Sequence, residues 1–269
     1  MLIDSHCHLD AAEFDSDRDA VALAAKQGGV DIIVIPAVSR ENFHQVIELS
    51  QQYEHCKFAL GIHPMYVDGA HPSDLTLVKA LVSQQISANK LVAIGEIGLD
   101  FFVTLDNRET QEYFFSEQLK IAQAFDLPVV LHVRKAVDDV LKHLRRHQVR
   151  GGIAHAFNGS AQQAQAFIDL GFKLGFGGAM TYPRALKIRD LAKTLPLTSI
   201  VLETDSPDIP PEWLGTKGRN SPNELLKIAQ VLADLRGIEL AQIIEITGKN
   251  MMQVLPKIAD LYTPLKVLH

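Results

Sequence analysis

Leu2-Ile3-Asp4-Ser5-His6-Cys7-His8 opens the chain with a short apolar run that ends in two histidines one residue apart. If Leu2-Ile3 begins a strand, side chains alternate across it, and His6 and His8 share one face. Two adjacent imidazoles fill a core badly and begin a metal site well, since neutral imidazole is a common metal ligand. Cys7 alternates away from them and reads as packing. A bare His-x-His also occurs on solvated surfaces. Its weight depends on whether an apolar run closed by metal-type side chains recurs along the chain.

It does recur. Further apolar runs lie at Ile32–Ile35, Phe58–Leu60, Leu91–Ile94, Val129–Leu131, Gly152–Ala154, Phe172–Phe176 and Ile200–Leu202, eight in all. Most are continuous rather than alternating, as expected for parallel strands covered on both faces. Between and after them come stretches with helical spacing. Phe43, Val46 and Ile47 mark one, with Ser39 as its N-cap candidate, and Phe115, Leu119, Ala122 and Phe125 another. Val137, Val140, Leu141 and Leu144 mark a third. Leu225, Ile228, Ala229, Leu232 and Leu235, then Leu240, Ile243, Ile244 and Met251, close the chain. Pro128 sits at a helix-to-strand turn, where its missing N–H costs little. No linker, low-complexity segment or internal repeat divides the sequence. Eight alternations over 269 residues predict one closed (β/α)8 barrel over residues 1–269, an α/β fold of one domain. A doubly wound open sheet is the alternative, but no Gly-x-Gly-x-x-Gly follows the first strand.

The barrel places chemistry at the C-terminal ends of its strands. His6 and His8 follow run one, His63 run three, Glu96 run four, His132 run five, His155 run six and Asp205 run eight. Singly, each has an ordinary reading: a hydrogen-bonded core histidine, a loop carboxylate, a helix-capping Asp. Chance explains their joint placement at one rim poorly. Four histidines and two carboxylates suit Zn²⁺, Mn²⁺, Co²⁺ or Ni²⁺, and Mg²⁺ less well. Six ligands exceed the three usual for one catalytic metal and suit two ions about 3.5–4 Å apart. Glu96 is the natural bridge. A water shared by such ions is acidified, and Asp205 is placed both to ligate and to take its proton. The set describes a hydrolase with two divalent ions, Mg²⁺, Mn²⁺ or Zn²⁺, per subunit.

Charge and composition limit the substrate. Acidic residues outnumber Lys and Arg by 32 to 26, so the broad basic face of a duplex-binding protein is not expected. Either the substrate is no polyanion, or it is gripped locally and through metal ions. Arg134, Lys135, Arg184, Lys187 and Arg189 follow runs five and seven and are placed to form a small positive rim. No stretch approaches 18 uninterrupted apolar residues, so no membrane span or membrane partner is expected. No secretory signal is apparent at the N-terminus. Two cysteines, Cys7 and Cys56, fit a reducing cytosol, and a cytoplasmic location is expected. No obligate protein partner is evident.

The motifs together resemble the TatD family of metal-dependent deoxyribonucleases, within the amidohydrolase-like barrels. The matching stretches are Asp4-Ser5-His6-Cys7-His8-Leu9-Asp10, Gly61-Ile62-His63-Pro64, Gly95-Glu96-Ile97-Gly98-Leu99-Asp100, Leu131-His132, His155-Ala156-Phe157-Asn158-Gly159 and Leu202-Glu203-Thr204-Asp205-Ser206-Pro207, with Arg219-Asn220-Ser221-Pro222 as a later loop. The resemblance implies that His6, His8 and Asp205 hold one ion, His132 and His155 the other, and Glu96 both. Asp205 would also be the general base, and His63 would sit near the substrate phosphate; Arg134, from its place after run five, is read separately as a further substrate contact. Asp100 and Glu203 would orient ligands, and Arg219 and Asn220 would be structural. Two departures stand out: Val133 where Ser or Thr is commoner, and Asp208 where an aromatic is commoner. Residues 208–218, with the lone Trp213, are thus where substrate preference can differ. Trp213 reads either as a base-stacking group or as packing.

A phosphodiesterase on DNA, trimming single strands or 3′ ends, is the first expectation. A small-molecule amide, lactone or phosphate-ester hydrolase on the same metals is its close rival. A non-catalytic metal-binding scaffold stands third, disfavoured because every expected ligand is present.

Overall fold

The computed structural model describes residues 1–103 and 106–262. Eight strands form one parallel sheet in chain order: β1 (Leu2–Asp4), β2 (Val30–Pro36), β3 (Cys56–Leu60), β4 (Leu91–Asp100), β5 (Val129–Arg134), β6 (Gly152–Ala154), β7 (Phe172–Phe176) and β8 (Ile200–Leu202). Helices α1 (Arg18–Gln27), α2 (Phe43–Gln52), α3 (Pro72–Gln85), α4 (Arg108–Ala124), α5 (Val137–His147), α6 (Ala161–Asp169), α7 (Leu186–Thr194) and α8 (Leu225–Arg236) follow the strands in turn, and α9 (Leu240–Val254) is added after them. The alternation of eight parallel strands and helices is thus the predicted one. All eight expected runs are strands, but β1 to β5 extend beyond them. Glu96 and His132 consequently lie inside strands rather than after them.

The seam between β8 and β1 is stitched just past the strand ends. Ser5 N donates to Leu202 O (3.0 Å), Asp205 N to His6 O (2.8 Å) and His8 N to Ser206 O (2.8 Å). Buried Asp4 reinforces it, accepting from Thr204 N (2.9 Å) and Thr204 Oγ1 (2.6 Å). Cys7 is buried against Ser206, its Sγ 3.1 Å from the hydroxyl, as its packing role requires.

Helix sequences explain helix positions. In α5, Val140, Leu141 and Leu144 supply the buried stripe. Asp138 and Asp139 occupy its first turn and Arg145, Arg146 and His147 its last, matching the helix dipole. Gly237, at φ 62°, ends α8 in the left-handed conformation that glycine adopts without penalty. Ser39 caps α2 less directly than expected. A 3-10 turn over Arg40–Asn42 intervenes, and the Asn42 side chain accepts from Ser39 N.

Two packed layers result. The larger lies between sheet and helices, and includes Ile33, Ile35, Phe58, Phe115, Leu131 and Phe167. The smaller fills the barrel itself with Ile3, Ile32, Val34, Val92, Val130, Ile153 and Val201. Met251, Val254, Leu255 and Ile258, from the end of α9 and the turn after it, plug the barrel's N-terminal mouth. The C-terminal mouth is left open for polar side chains.

Candidate metal centre

Strand alternation delivers four of the polar groups directly. Val130 fills the barrel and His132 follows two residues on; Ile153 and His155 repeat the relation, as do Val201, Glu203 and Asp205. β1 and β4 depart from it. The chain bends after Asp4, and His6 and His8 approach with their Nε2 atoms 3.2 Å apart. The β4–β5 register shifts between Ile94 and Ile97, the interval that contains Glu96.

Glu96 is the centre of the cluster. Its Oε2 lies 3.1 Å from His6 Nε2 and 3.5 Å from His8 Nε2. Its Oε1 lies 2.9 Å from His155 Nε2, 3.0 Å from His132 Nδ1 and 3.3 Å from His63 Nε2. Asp205 Oδ1 stands 3.5 Å from His6 Nε2 and 3.8 Å from His8 Nε2, and also 3.9 Å from His155 Nδ1. One carboxylate therefore parts the histidines into two groups, one per oxygen.

His63 and His132 are told apart by what holds their outer nitrogens. His63 Nδ1 accepts from the backbone N–H of Met65 (3.1 Å). Burial pushes His63 below its usual range, and a ring that accepts at Nδ1 carries its proton on Nε2, the atom facing Glu96. That atom is a hydrogen-bond donor without a free lone pair. His132 is the converse. Its Nε2 lies 3.0 Å from Asp100 Oδ2, which leaves Nδ1 to face the centre. A carboxylate behind an imidazole is a common way of orienting a metal ligand. Although His63, Glu96 and His132 lie close enough to share an ion, the Met65 hydrogen bond turns the Nε2 proton of His63, rather than a lone pair, toward the centre.

The electrostatics of the cluster fit divalent cations. Burial, then the neighbouring His155 charge, pushes His6 well down, and their rings stack with centroids 3.9 Å apart. Burial works against His8 and His155 as well, yet Glu96 outweighs it and pushes them up to about 9 and about 10. Burial also opposes ionisation of Glu96, but the surrounding histidines hold it well below its usual range. Asp205 is raised, chiefly by burial. The buried Nδ1 atoms of His6 and His155 have no hydrogen-bond partner. Protons alone leave such nitrogens poorly served, whereas a metal needs them deprotonated.

Behind this layer, Glu203 Oε1 accepts from Ala156 N (2.5 Å) and lies 3.9 Å from His155 Nδ1. Burial raises it to about 8. Gly175 makes room for it, since a Cβ there would fall 2.1 Å from Glu203 Oε2. Asn220 Nδ2 donates to Thr204 O (2.7 Å) and to Asp208 O (3.0 Å), and Arg219 pairs with Asp17 (2.6 Å). Both hold the loop after β8 and neither enters the centre.

A cavity of about 770 Å³ opens over the cluster, and Arg134, Met65, Tyr66, Asn158 and Asp208 are among the residues of its wall. Of the five expected rim cations, Arg134 alone belongs to that wall. It stacks over Phe102 at 3.9 Å and stands 3.9 Å from Asp100. Lys187 instead donates to Asn158 O and Arg189 to Met180 O. Trp213 is 38% exposed, and its Nε1 donates to Glu224 Oε2 (2.7 Å), which anchors the ring edge.

The chain is similar to known proteins over most of its length. Residues 3–256 match the family described as TatD related DNase. The metal-dependent hydrolase YjjV of Escherichia coli (strain K12) is 43% identical over 237 residues, covering 87% of this chain and 90% of that protein. Human deoxyribonuclease TATDN3 is 34% identical over 271 residues, covering 97% of this chain and 96% of its own length. The crystal structure of Escherichia coli YjjV, described as a TatD homologue, superposes with a TM-score of 0.89 at 40% identity, covering 95% of this chain and 98% of that one. With its eight-stranded barrel and its histidine–carboxylate rim, the chain belongs to the TatD-related DNase family of metal-dependent hydrolases.

Proposed function

We propose that this hydrolase is a phosphodiesterase that acts on DNA, trimming single strands or 3′ ends, with two divalent ions in the rim cluster. The observation that carries the reading is the split around Glu96: His6 and His8 on one oxygen, His132 and His155 on the other. In this proposal His6, His8 and Asp205 hold one ion, His132 and His155 the other, and Glu96 touches both. When bound, such ions polarise a phosphoryl oxygen and lower the pKa of water towards neutrality. Mg²⁺, Mn²⁺ and Zn²⁺ are the candidate ions.

The remaining chemistry belongs to the protein. Asp205 faces the cavity beside His6 and His8, which places it to accept the proton of the attacking water. His63 keeps its proton on Nε2 and donates it to a non-bridging phosphate oxygen as charge grows there. Asp100 fixes the ring of His132. Arg134, braced by Phe102, meets a neighbouring phosphate at the cavity wall. DNA as the substrate is supported by the deoxyribonuclease name of the human relative. The net charge of −6 favours a local grip on a few phosphates over a broad electrostatic face. It also favours the rival reading, a small phosphate ester, amide or lactone.

The test is cleavage of end-labelled single-stranded DNA by metal-stripped protein, with Mg²⁺, Mn²⁺ or Zn²⁺ restored, beside an Asp205→Asn variant. Metal-restored cleavage that is lost in the variant is expected. Binding of metal with DNA left intact sinks the nuclease reading and turns attention to small esters and amides.

A further inference from the structure

A second cavity, about 570 Å³, lies beside the metal cavity, and Ile209 belongs to the walls of both. Its other lining groups include Tyr182, Ile188, Pro210 and Arg184. We propose that this pocket is a nucleobase subsite: it receives the base of a nucleotide joined to the phosphate held at the metal centre. The inference rests on the phosphodiesterase reading and deepens it.

Ile209 is the first observation. Its φ is 42°, in the left-handed region where a β-branched residue is strained. The surroundings hold it there. Asn220 Nδ2 donates to Asp208 O (3.0 Å) and Ile209 O (3.2 Å). Gly178 clears the path, since a Cβ there would lie 2.1 Å from Ile209 O. Glycine at position 209 would remove the strain. The Ile209 side chain stands at the partition between the two cavities, which gives the strained position a use.

Chemistry is the second. Ile188, Ile209, Pro210, Ala179 and Ala185 make a mostly apolar wall, which suits the flat faces of a base. Tyr182 adds an aromatic surface for stacking, and Thr216 a polar group for a base edge. Charge is the third. Arg184 is exposed, 5.8 Å from the Tyr182 ring, and has no carboxylate partner among the described residues. At the edge of an apolar pocket in an acidic protein, an unpaired guanidinium fits the next phosphate of a strand.

The pocket also has a firm frame. Glu212 N donates to Thr181 Oγ1 (2.7 Å), and Thr181 Oγ1 donates to Gly178 O (2.7 Å), which ties the loop after β8 to the loop after β7. A short oligonucleotide held at the centre therefore meets a preformed wall on this side.

The experiment uses the metal-loaded protein and two single-stranded oligonucleotides. They are identical except that the terminal nucleotide of one lacks its base. Wild type is expected to cleave the base-bearing strand at least about fivefold more efficiently in kcat/KM, the lower end of what one base–aromatic contact gives. Ala185→Trp, which fills the pocket from the residue preceding α7, is expected to abolish that preference and leave cleavage of the abasic strand unchanged. Arg184→Gln is expected to lower kcat/KM for longer strands and leave a dinucleotide unaffected. Equal cleavage of both strands by wild type, or a preference that survives in Ala185→Trp, overturns the subsite alone. If neither strand is cut while the metal-loaded protein hydrolyses a small ester, the nucleic-acid reading fails and takes the subsite with it.

Discussion

The two mouths of the barrel use the same strands for opposite purposes. At the N-terminal mouth, Ile3, Val34, Val130, Ile153 and Val201 meet Met251, Leu255 and Ile258 in an apolar plug. At the other, residues two to four positions further along β5, β6 and β8 present His132, His155, Glu203 and Asp205. The floor gains from burying apolar surface, and its side chains satisfy one another. The rim buries ionisable groups that protons alone satisfy badly, with Glu96 ringed by imidazoles at 2.9–3.5 Å. Stability is thus concentrated at one end and chemistry at the other, and substitutions at the two ends are predicted to separate the two properties.

Asp205→Asn is the largest expected effect. Removing the proton acceptor is predicted to lower kcat by about 10²–10⁴-fold, the range of general acid–base contributions. Thermal stability of the variant should stay near that of wild type, and steady-state kinetics beside a melting curve checks both. An inactive variant that also melts early would merge the two ends.

Leu255→Ala is the matching change at the floor. Leu255 is fully buried, and truncating it should cost about 2–5 kcal/mol in chemical denaturation. Activity per folded molecule is expected to hold. A large loss of kcat in the folded fraction would show that the plug sets the rim geometry.

Removing metal should sharpen the contrast through pH. His8 and His155, pushed up to about 9 and about 10 in the cation-free protein, stabilise the fold below their unfolded values near 6.5. That contribution is lost as pH rises through about 9 to 10. Asp4 and Glu203, raised to about 7 and about 8 by burial, act in the same direction at lower pH. The melting temperature of stripped protein is therefore expected to fall from pH 7 to pH 10. Metal replaces those imidazole protons, so the gap between loaded and stripped protein should widen, from a base of about 2.7 kcal/mol with metal at 100 times Kd. A gap that narrows with rising pH contradicts the proposed ligands.

The smallest effect is expected at Arg134→Gln. Arg134 is about half exposed and stands at the cavity wall, so its loss should raise KM a few-fold and reduce the salt slope of DNA binding by about 1. Cleavage measured across a salt series reads both quantities.

Much of the molecule was legible in the sequence, for reasons that differ by strand. Val130 and His132, Ile153 and His155, and Val201 and Asp205 obey the period of two, so an apolar run followed by a polar residue placed the latter at the rim. Neither Ile3 and His6 nor the irregular β4 around Glu96 obeys it. Their place at the rim was readable from proximity to a strand end, but their inward direction depends on a bend and a register shift. Two features had no local signal. The tautomer of His63 is set by the backbone N–H of Met65, and the partition at Ile209 is set by Asn220 and Gly178 across the loop. Arg184, Lys187 and Arg189 were legible as cations after β7, but the direction of their side chains was not. They turn to the second cavity or to backbone carbonyls.

The most direct test of the central claim is the anomalous scattering of a Zn²⁺- or Mn²⁺-loaded crystal. The account predicts two ions on opposite oxygens of Glu96. His6, His8 and Asp205 should ligate one, His132 and His155 the other, and His63 neither. A single ion, or His63 Nε2 bound to metal, would contradict it.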